Sequence, residues 1–217
     1  MSRQTILESD QFNLVSHPLV QHKLSLLRDT DTDKKQFREL THEITVLLLY
    51  EATKKLPLRY IPLSTPLETF DAPVLDIDTP VVIPILRAGI GMVDAFLSLL
   101  PTANVGHIGL YRDEITHEPH RYFFKLPPIT PNQPFFVCDP MLATAGTCIA
   151  AITELKKEGV KNIHFICLVA SPEGTEKLIN AHPDVSIYSA ALDRELDANA
   201  YIRPGLGDAG DRLFGTL

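Results

Sequence analysis

The sequence predicts an α/β fold built on a doubly wound, mostly parallel sheet. Three observations carry that expectation. From Pro80 onward, short apolar runs alternate with segments of helical period, the pattern of repeated βαβ units. The runs are almost wholly apolar, as buried parallel strands are. Finally, Phe135–Cys138 leads through one acid, Asp139, and a stretch of small and hydroxyl residues into an apolar helical segment. That order lets backbone N–H groups close on an anion at the positive end of a helix.

The elements follow in chain order. Residues 12–16 read as a short extended piece. Pro18 opens a helix that carries Leu19, Leu24, Leu26 and Leu27 and ends near Arg28. Asp33 caps a longer helix through Leu40, Ile44, Leu47, Leu48 and Ala52. Both helices precede the first core strand. Residues 58–70, with prolines nearby, read as loop or short extended arms. Strands are predicted over 81–86, 105–111, 135–138, 163–170 and 185–190, and helices over 91–100, 145–158 and 172–181. Two stretches break the rhythm. Residues 112–134 are long for a loop and carry Tyr122-Phe123-Phe124 among several prolines, so they read as a β-arm or lid. The tail, 193–217, holds four glycines and little periodicity. No internal repeat or domain break is visible, and residues 1–217 read as one domain.

Composition narrows the function. The chain has 217 residues, 45% hydrophobic and 22% charged, with net charge −7, and no block of Lys and Arg. A dedicated nucleic-acid binder is therefore not expected. The cysteines, Cys138, Cys148 and Cys167, lie in or beside apolar runs and read as buried small hydrophobes in a reducing compartment. No Cys-x-x-Cys occurs, and the eight histidines show no metal-ligand spacing. No run reaches the ~18 apolar residues of a membrane span, and residues 1–10 lack the apolar core of a signal peptide. A cytoplasmic protein is expected.

Ligands of such sheets bind beyond the carboxyl ends of the strands, where four segments gather chemistry. The first is Asp139, Pro140, Met141, Leu142, Ala143, Thr144, Ala145, Gly146 and Thr147, a phosphate-holding bend with an acid placed to meet ribose hydroxyls or a metal-bound group. It is neither a Gly-x-x-x-x-Gly-Lys-Ser/Thr loop nor a Gly-x-Gly-x-x-Gly turn. In the second, Arg87 follows a buried strand and precedes Gly89 and Gly91. Its guanidinium suits phosphate, although pairing with a surface carboxylate is the plainer role. In the third, Arg112 ends a strand and opens the suspected lid; a solvated charge run is the alternative there. In the fourth, Ile202, Leu206, Leu213 and Phe214 flank a glycine-rich stretch, which favours an ordered loop presenting backbone groups to a flat polar ligand such as a nucleobase.

Together these segments, with His17-Pro18-Leu19-Val20-Gln21-His22-Lys23-Leu24 and the closing Phe214-Gly215-Thr216, resemble the uracil phosphoribosyltransferases of the type I phosphoribosyltransferase superfamily. The resemblance covers nearly the whole chain. It implies the type I phosphoribosyltransferase fold with N-terminal helices, a β-arm and a C-terminal base-binding hood. It also implies transfer of a phosphoribosyl group from 5-phospho-α-D-ribose 1-diphosphate (PRPP), with Mg²⁺, to uracil, giving UMP and diphosphate. By resemblance, residues 139–147, Arg87, Arg112 and Asp208 bind PRPP, with Arg112 and Asp208 serving catalysis. Ile202, Gly207, Asp208 and Ala209 would bind uracil. A homo-oligomer, dimer or tetramer, and a GTP effector are further implications. Pro140 after Asp139, in place of a second acid, matches the uracil branch. Ala145 and Ala200 stand where the family has Gly, and Arg203 where it has a small apolar residue. At Ala145 a methyl is harmless at negative φ and weakens phosphate binding at positive φ. A non-enzymatic nucleotide-binding regulator and a transferase for another base are the competing readings.

Overall fold

A computed structural model describes residues 1–112 and 119–216, with the backbone alone for residues 111, 112 and 119–121. The elements run α1 (Arg3–Leu7), β1 (Phe12–Leu14), α2 (Pro18–Arg28), α3 (Lys34–Ala52), β2 (Leu58–Ser64), β3 (Thr69–Leu75), β4 (Val81–Leu86), α4 (Ile90–Leu99), β5 (Asn104–Val105) and β6 (His107–Arg112). They continue with β7 (Pro119–Lys125), β8 (Phe135–Cys138), β9 (Met141–Leu142), α5 (Gly146–Lys157), β10 (Ile163–Ala170), α6 (Pro172–Ala181), β11 (Ser186–Leu192), β12 (Glu195–Leu196), β13 (Ile202–Arg203) and α7 (Ala209–Phe214).

Among the described residues the main sheet has the order β1-β11-β10-β8-β4-β6-β7, with β5 beside β4 and β9 beside β10. Every pairing in it is parallel except β6 with β7. Side chains alternate across the strands, and both faces are covered. Val82, Phe136, Ile166 and Tyr188 point into a core with α2, α3, α4 and α7. Ile83, Val137, Phe165 and Ile187 point into another with α1, α5 and α6. This is why the strands read as unbroken apolar runs.

Several expectations are corrected. Residues 12–14 are not a stray extended piece: β1 is the edge strand of the main sheet, paired with β11 from Phe12↔Ile187 to Leu14↔Ser189. It therefore precedes both long helices. The strand expected over 105–111 breaks at Gly106, where a Cβ would lie 2.5 Å from the Ile83 side chain. Of the stretch expected over 112–134 as a β-arm or lid, residues 119–125 form a strand. That strand, β7, extends the main sheet, antiparallel to β6. Residues 113–118, and with them the lid reading, lie outside the described residues. The free-standing arm is the β2–β3 hairpin, paired from Leu58↔Leu75 to Ser64↔Thr69. In the tail, where an ordered glycine-rich loop was expected, the hairpin β12–β13 and the helix α7 flank that loop.

The β12–β13 turn shows how the tail is held. Asp197 accepts from the N–H of Asn199 at 2.9 Å and of Tyr201 at 3.0 Å, and its carboxylate pairs with Arg203 across the hairpin. Ala200 closes the turn at φ +64, the left-handed region that disfavours a Cβ. Because Ala200 is exposed, Gly there relieves the strain without losing packing. Ala200→Gly should raise stability by about 0.5–1 kcal/mol, read as a higher urea midpoint at unchanged m-value.

Candidate active site

Seven helices are described, and five have side-chain caps: Ser2, His17, Asp33, Ser171 and Asp208 accept from the N–H groups of α1, α2, α3, α6 and α7. The two without a side-chain cap are α4, begun by Gly89, and α5, begun by Ala145. Both start just beyond the carboxyl ends of neighbouring strands, β4 and β8, which pair from Val81↔Phe135 to Pro84↔Cys138. At α4 the preceding turn takes up the first N–H groups, Ile90, Gly91 and Met92 donating to the C=O groups of Arg87, Ala88 and Gly89, while the first N–H groups of α5 have no intrahelical acceptor. Two positive helix ends thus converge on one edge of the sheet.

The bend before α5 is fixed on one side only. Asp139 N–H donates to Ile166 C=O, Pro140 C=O accepts from Leu168 at 2.9 Å, and β9 pairs with the end of β10. Ser171 N–H donates to Leu142 C=O at 2.9 Å, and its hydroxyl donates to Ala143 C=O at 2.6 Å while accepting from Gly174 N–H. A Cβ on Gly174 would sit 2.0 Å from the Ala143 oxygen, so only Gly fits there. Held in this way, Asp139 and residues 141–148 line a hollow of about 80 Å³. Ala145 borders it at φ +64 with its methyl in the apolar core. This is the geometry in which the methyl was expected to weaken phosphate binding.

The other segments meet this hollow. Gly89 lets the turn after β4 approach the end of β8: a Cβ there would lie 2.4 Å from Cys138 C=O. Arg87, exposed in that turn, reaches to 3.5 Å from the Thr216 hydroxyl of the tail. The peptide bond before it is cis, as is that between Arg203 and Pro204. At Gly210 a Cβ would approach both the Asp208 carboxylate, at 3.2 Å, and Ala88, at 3.9 Å, so α7 begins against the Arg87 turn. Asp208 is exposed and caps α7, accepting from Asp211 N–H at 2.9 Å. The structure thus assembles Arg87, residues 139–147 and Asp208 around one cleft. Gly207 is exposed at φ +80. Ile202 and Ala209 are buried, so they can offer backbone groups rather than side chains. Arg112 ends β6, and its side chain lies outside the described residues.

Burial pushes the Asp139 carboxyl up from 3.8 to about 7, against the opposing pull of the Met141 N–H, and the negative charge of Asp208 adds to the rise. Among the described residues no group of three or more His, Cys, Asp or Glu could hold a metal. The Asp139 and Asp208 carboxylates, near enough to feel each other's charge, are oxygen donors of the kind that suits a hard cation which keeps most of its oxygen ligands from its substrate.

Sequence reading missed the supports: Ser171 and Gly174 beneath the bend, and Arg28, Arg38, Asp193 and Arg212 around the tail. Ser171-Pro172 carried a helix-start signal that could have pointed to the first pair. Arg28 and Asp193 are 165 residues apart, and no local pattern links them.

The uracil phosphoribosyltransferase family model matches residues 14–216. The chain is 56% identical over 206 residues to a uracil phosphoribosyltransferase of Streptococcus salivarius, covering 95% of this chain and 99% of that one. It is 57% identical over 203 residues to that of Streptococcus uberis, covering 94% and 97%. A structure of the AQ2163 protein from Aquifex aeolicus superposes with TM-score 0.87 at 35% identity, covering 94% of this chain and 98% of the other. The chain belongs to the uracil phosphoribosyltransferase family.

The Asp139 shift has a thermodynamic sign. Its native pKa lies above the unfolded value, so between about pH 4 and pH 7 the native state holds a proton that the unfolded chain has released. Stability therefore falls as pH rises through that window, and the full penalty stands above it. Asp139→Asn keeps an acceptor for Met141 N–H and removes the charge. It should be more stable than the parent by about 1–3 kcal/mol at pH 8, with the gap closing near pH 4 in thermal unfolding.

Proposed function

We propose that the protein converts uracil and PRPP into UMP and diphosphate, a step of pyrimidine salvage. The observation that carries this reading is the uncapped start of α5 behind the bend 139–147, with the Arg87 turn beside it at the carboxyl edge of the sheet. The α5 start suits the 5′-phosphate, and the Arg87 guanidinium suits the diphosphate. Asp139, at the start of the bend, is fit to accept from ribose hydroxyls, and the tail supplies Gly207, Asp208 and Ala209 for the base.

No covalent nucleophile is needed, because diphosphate is a good leaving group. The bond from uracil N1 to C1′ forms, the bond from C1′ to diphosphate oxygen breaks, and the N1 proton is released. Positive charge develops at C1′ as the bonds exchange, and carboxylates placed nearby stabilise it. Arg87, with Arg112 in the same role, would neutralise the departing diphosphate, and the α5 start would hold the donor in line with the base. Mg²⁺, carried on PRPP and met by Asp139 and Asp208, would supply further charge neutralisation. Backbone readout at 207–209 distinguishes uracil from cytosine, whose donor and acceptor at positions 3 and 4 are exchanged. Each unpaired group costs about 1–3 kcal/mol.

Incubation with PRPP, Mg²⁺ and each of uracil, cytosine, hypoxanthine and adenine should yield nucleotide with uracil; product only from a purine would refute the assignment. Asp208→Asn keeps the cap on α7, so UMP formation should fall at least 100-fold while the melting temperature stays close to the parent's. Unchanged turnover would remove Asp208 from the mechanism.

The three thiols, buried and free, fit a reducing compartment, the cytoplasm, and among the described residues no helix is long and apolar enough to cross a membrane. The β2–β3 arm supports a homo-oligomer. A lone two-stranded hairpin is marginal in water, yet this one exposes Leu58, Tyr60, Leu63, Leu67, Phe70 and Leu75. A second copy of the chain is the occupant proposed for it. Leu67→Glu with Phe70→Glu should shift the protein toward monomer by light scattering, and an unchanged mass would exclude the arm as the contact.

A further inference from the structure

The base loop has little regular structure of its own, and Gly205 and Gly207 stand at φ +65 and +80 within it. Its shape is imposed from outside. Arg28, the last residue of α2, sets its guanidinium against Asp193 in a fork, Nη1 to Oδ2 at 2.8 Å and Nη2 to Oδ1 at 2.6 Å. The same Nη1 donates to Gly205 C=O at 2.6 Å, and Gly205 N–H donates to Asp193 Oδ2 at 2.9 Å. Asp193 is itself tied to the end of β10 through its N–H on Ala170 C=O at 2.8 Å, and its side chain is 5% exposed. A second guanidinium secures the next carbonyl: Arg212 lies 4.4 Å over the Phe37 ring and donates to Leu206 C=O and Asp29 C=O.

We propose that the Arg28–Asp193 pair is a positioning latch for base recognition. Both polar groups of Gly205 and the carbonyl of Leu206 are consumed by the latch and its neighbour. The chain direction beyond them is thereby fixed, and the backbone groups of 207–209 are left to meet the base. The bend at 139–147 is braced separately, by β10 and Ser171. The latch therefore bears on affinity for uracil far more than on affinity for PRPP, which reaches the latched segment only through Asp208. A guanidinium is needed because one planar group must reach two carboxylate oxygens and a carbonyl together; an ammonium in its place keeps the charge and loses the fork.

The inference rests on the proposed activity, so the test has two readouts. Arg28→Lys keeps a cation against the buried Asp193 and should fold; Arg28→Gln and Asp193→Asn extend the series. With uracil and PRPP varied in turn, Arg28→Lys should raise the KM for uracil about tenfold and leave that for PRPP within about twofold. Arg28→Gln should raise the uracil KM further. Amide hydrogen exchange in the same variants should quicken at 202–209 and stay unchanged at 139–147. A parallel rise of both KM values, no change in either, or exchange that quickens equally in both segments would overturn the latch. If the parent makes no UMP, the activity fails, and the exchange pattern still decides the latch.

Discussion

The site depends on backbone donors that the protein leaves without side-chain acceptors. Folding normally satisfies a helix start with a cap, and it does so at α1, α2, α3, α6 and α7. At α5 no side chain caps the start, and at α4 the carbonyls of the Arg87 turn take that place; those two helices follow neighbouring parallel strands. Parallel pairing of β4 with β8 is what brings their positive ends to the same edge. The rest of the molecule holds that edge open. Ser171 and Gly174 press the bend against β10, and Gly89 lets the adjacent turn come within contact of Cys138.

The same arrangement makes the site unfavourable when empty. Asp139 is placed where burial and a neighbouring carboxylate both oppose its charge, and Ala145 holds a backbone conformation that costs an L-residue about 1–2 kcal/mol. Such features persist only where surrounding structure over-determines them. Here that structure is the double core: strands apolar on both faces, each locked to its neighbours in register. Ligands that bring a cation and hydroxyl donors to Asp139 would relieve the electrostatic part of the strain on binding.

Phosphate recognition and base recognition are built differently. The bend at 139–147 is local in sequence and rigid because it joins a central strand to a long helix. The tail at 201–209 is held by arginines from α2 and α7, Arg28 on Gly205 C=O and Arg212 on Leu206 C=O. Arg38 also donates to Leu213 C=O at 2.7 Å. The N-terminal helices thus do more than cover the sheet, since they carry the guanidinium groups that shape the far end of the chain.

What the chain order alone determined were the features with local causes. Runs apolar on both faces gave the parallel strands, Asp33 gave a helix start, and the small residues after Cys138 marked the phosphate bend. The motif order gave the family resemblance that the comparisons bear out. Tertiary structure decided what depends on partners far apart in sequence. Residues 12–14 joined the main sheet only because β11 offered an edge, 175 positions on from Phe12 to Ile187. The strand β7 extends the main sheet because it pairs with β6, whereas β2 and β3 pair only with each other. Left-handed φ is imposed on Ala145 by the buried core around it and on Ala200 by the Asp197-bonded turn, against each residue's own preference. The grip of Arg28 on Asp193 and Gly205 joins three segments that no periodicity connects, since hydrogen bonds between side chains are set by where elements pack.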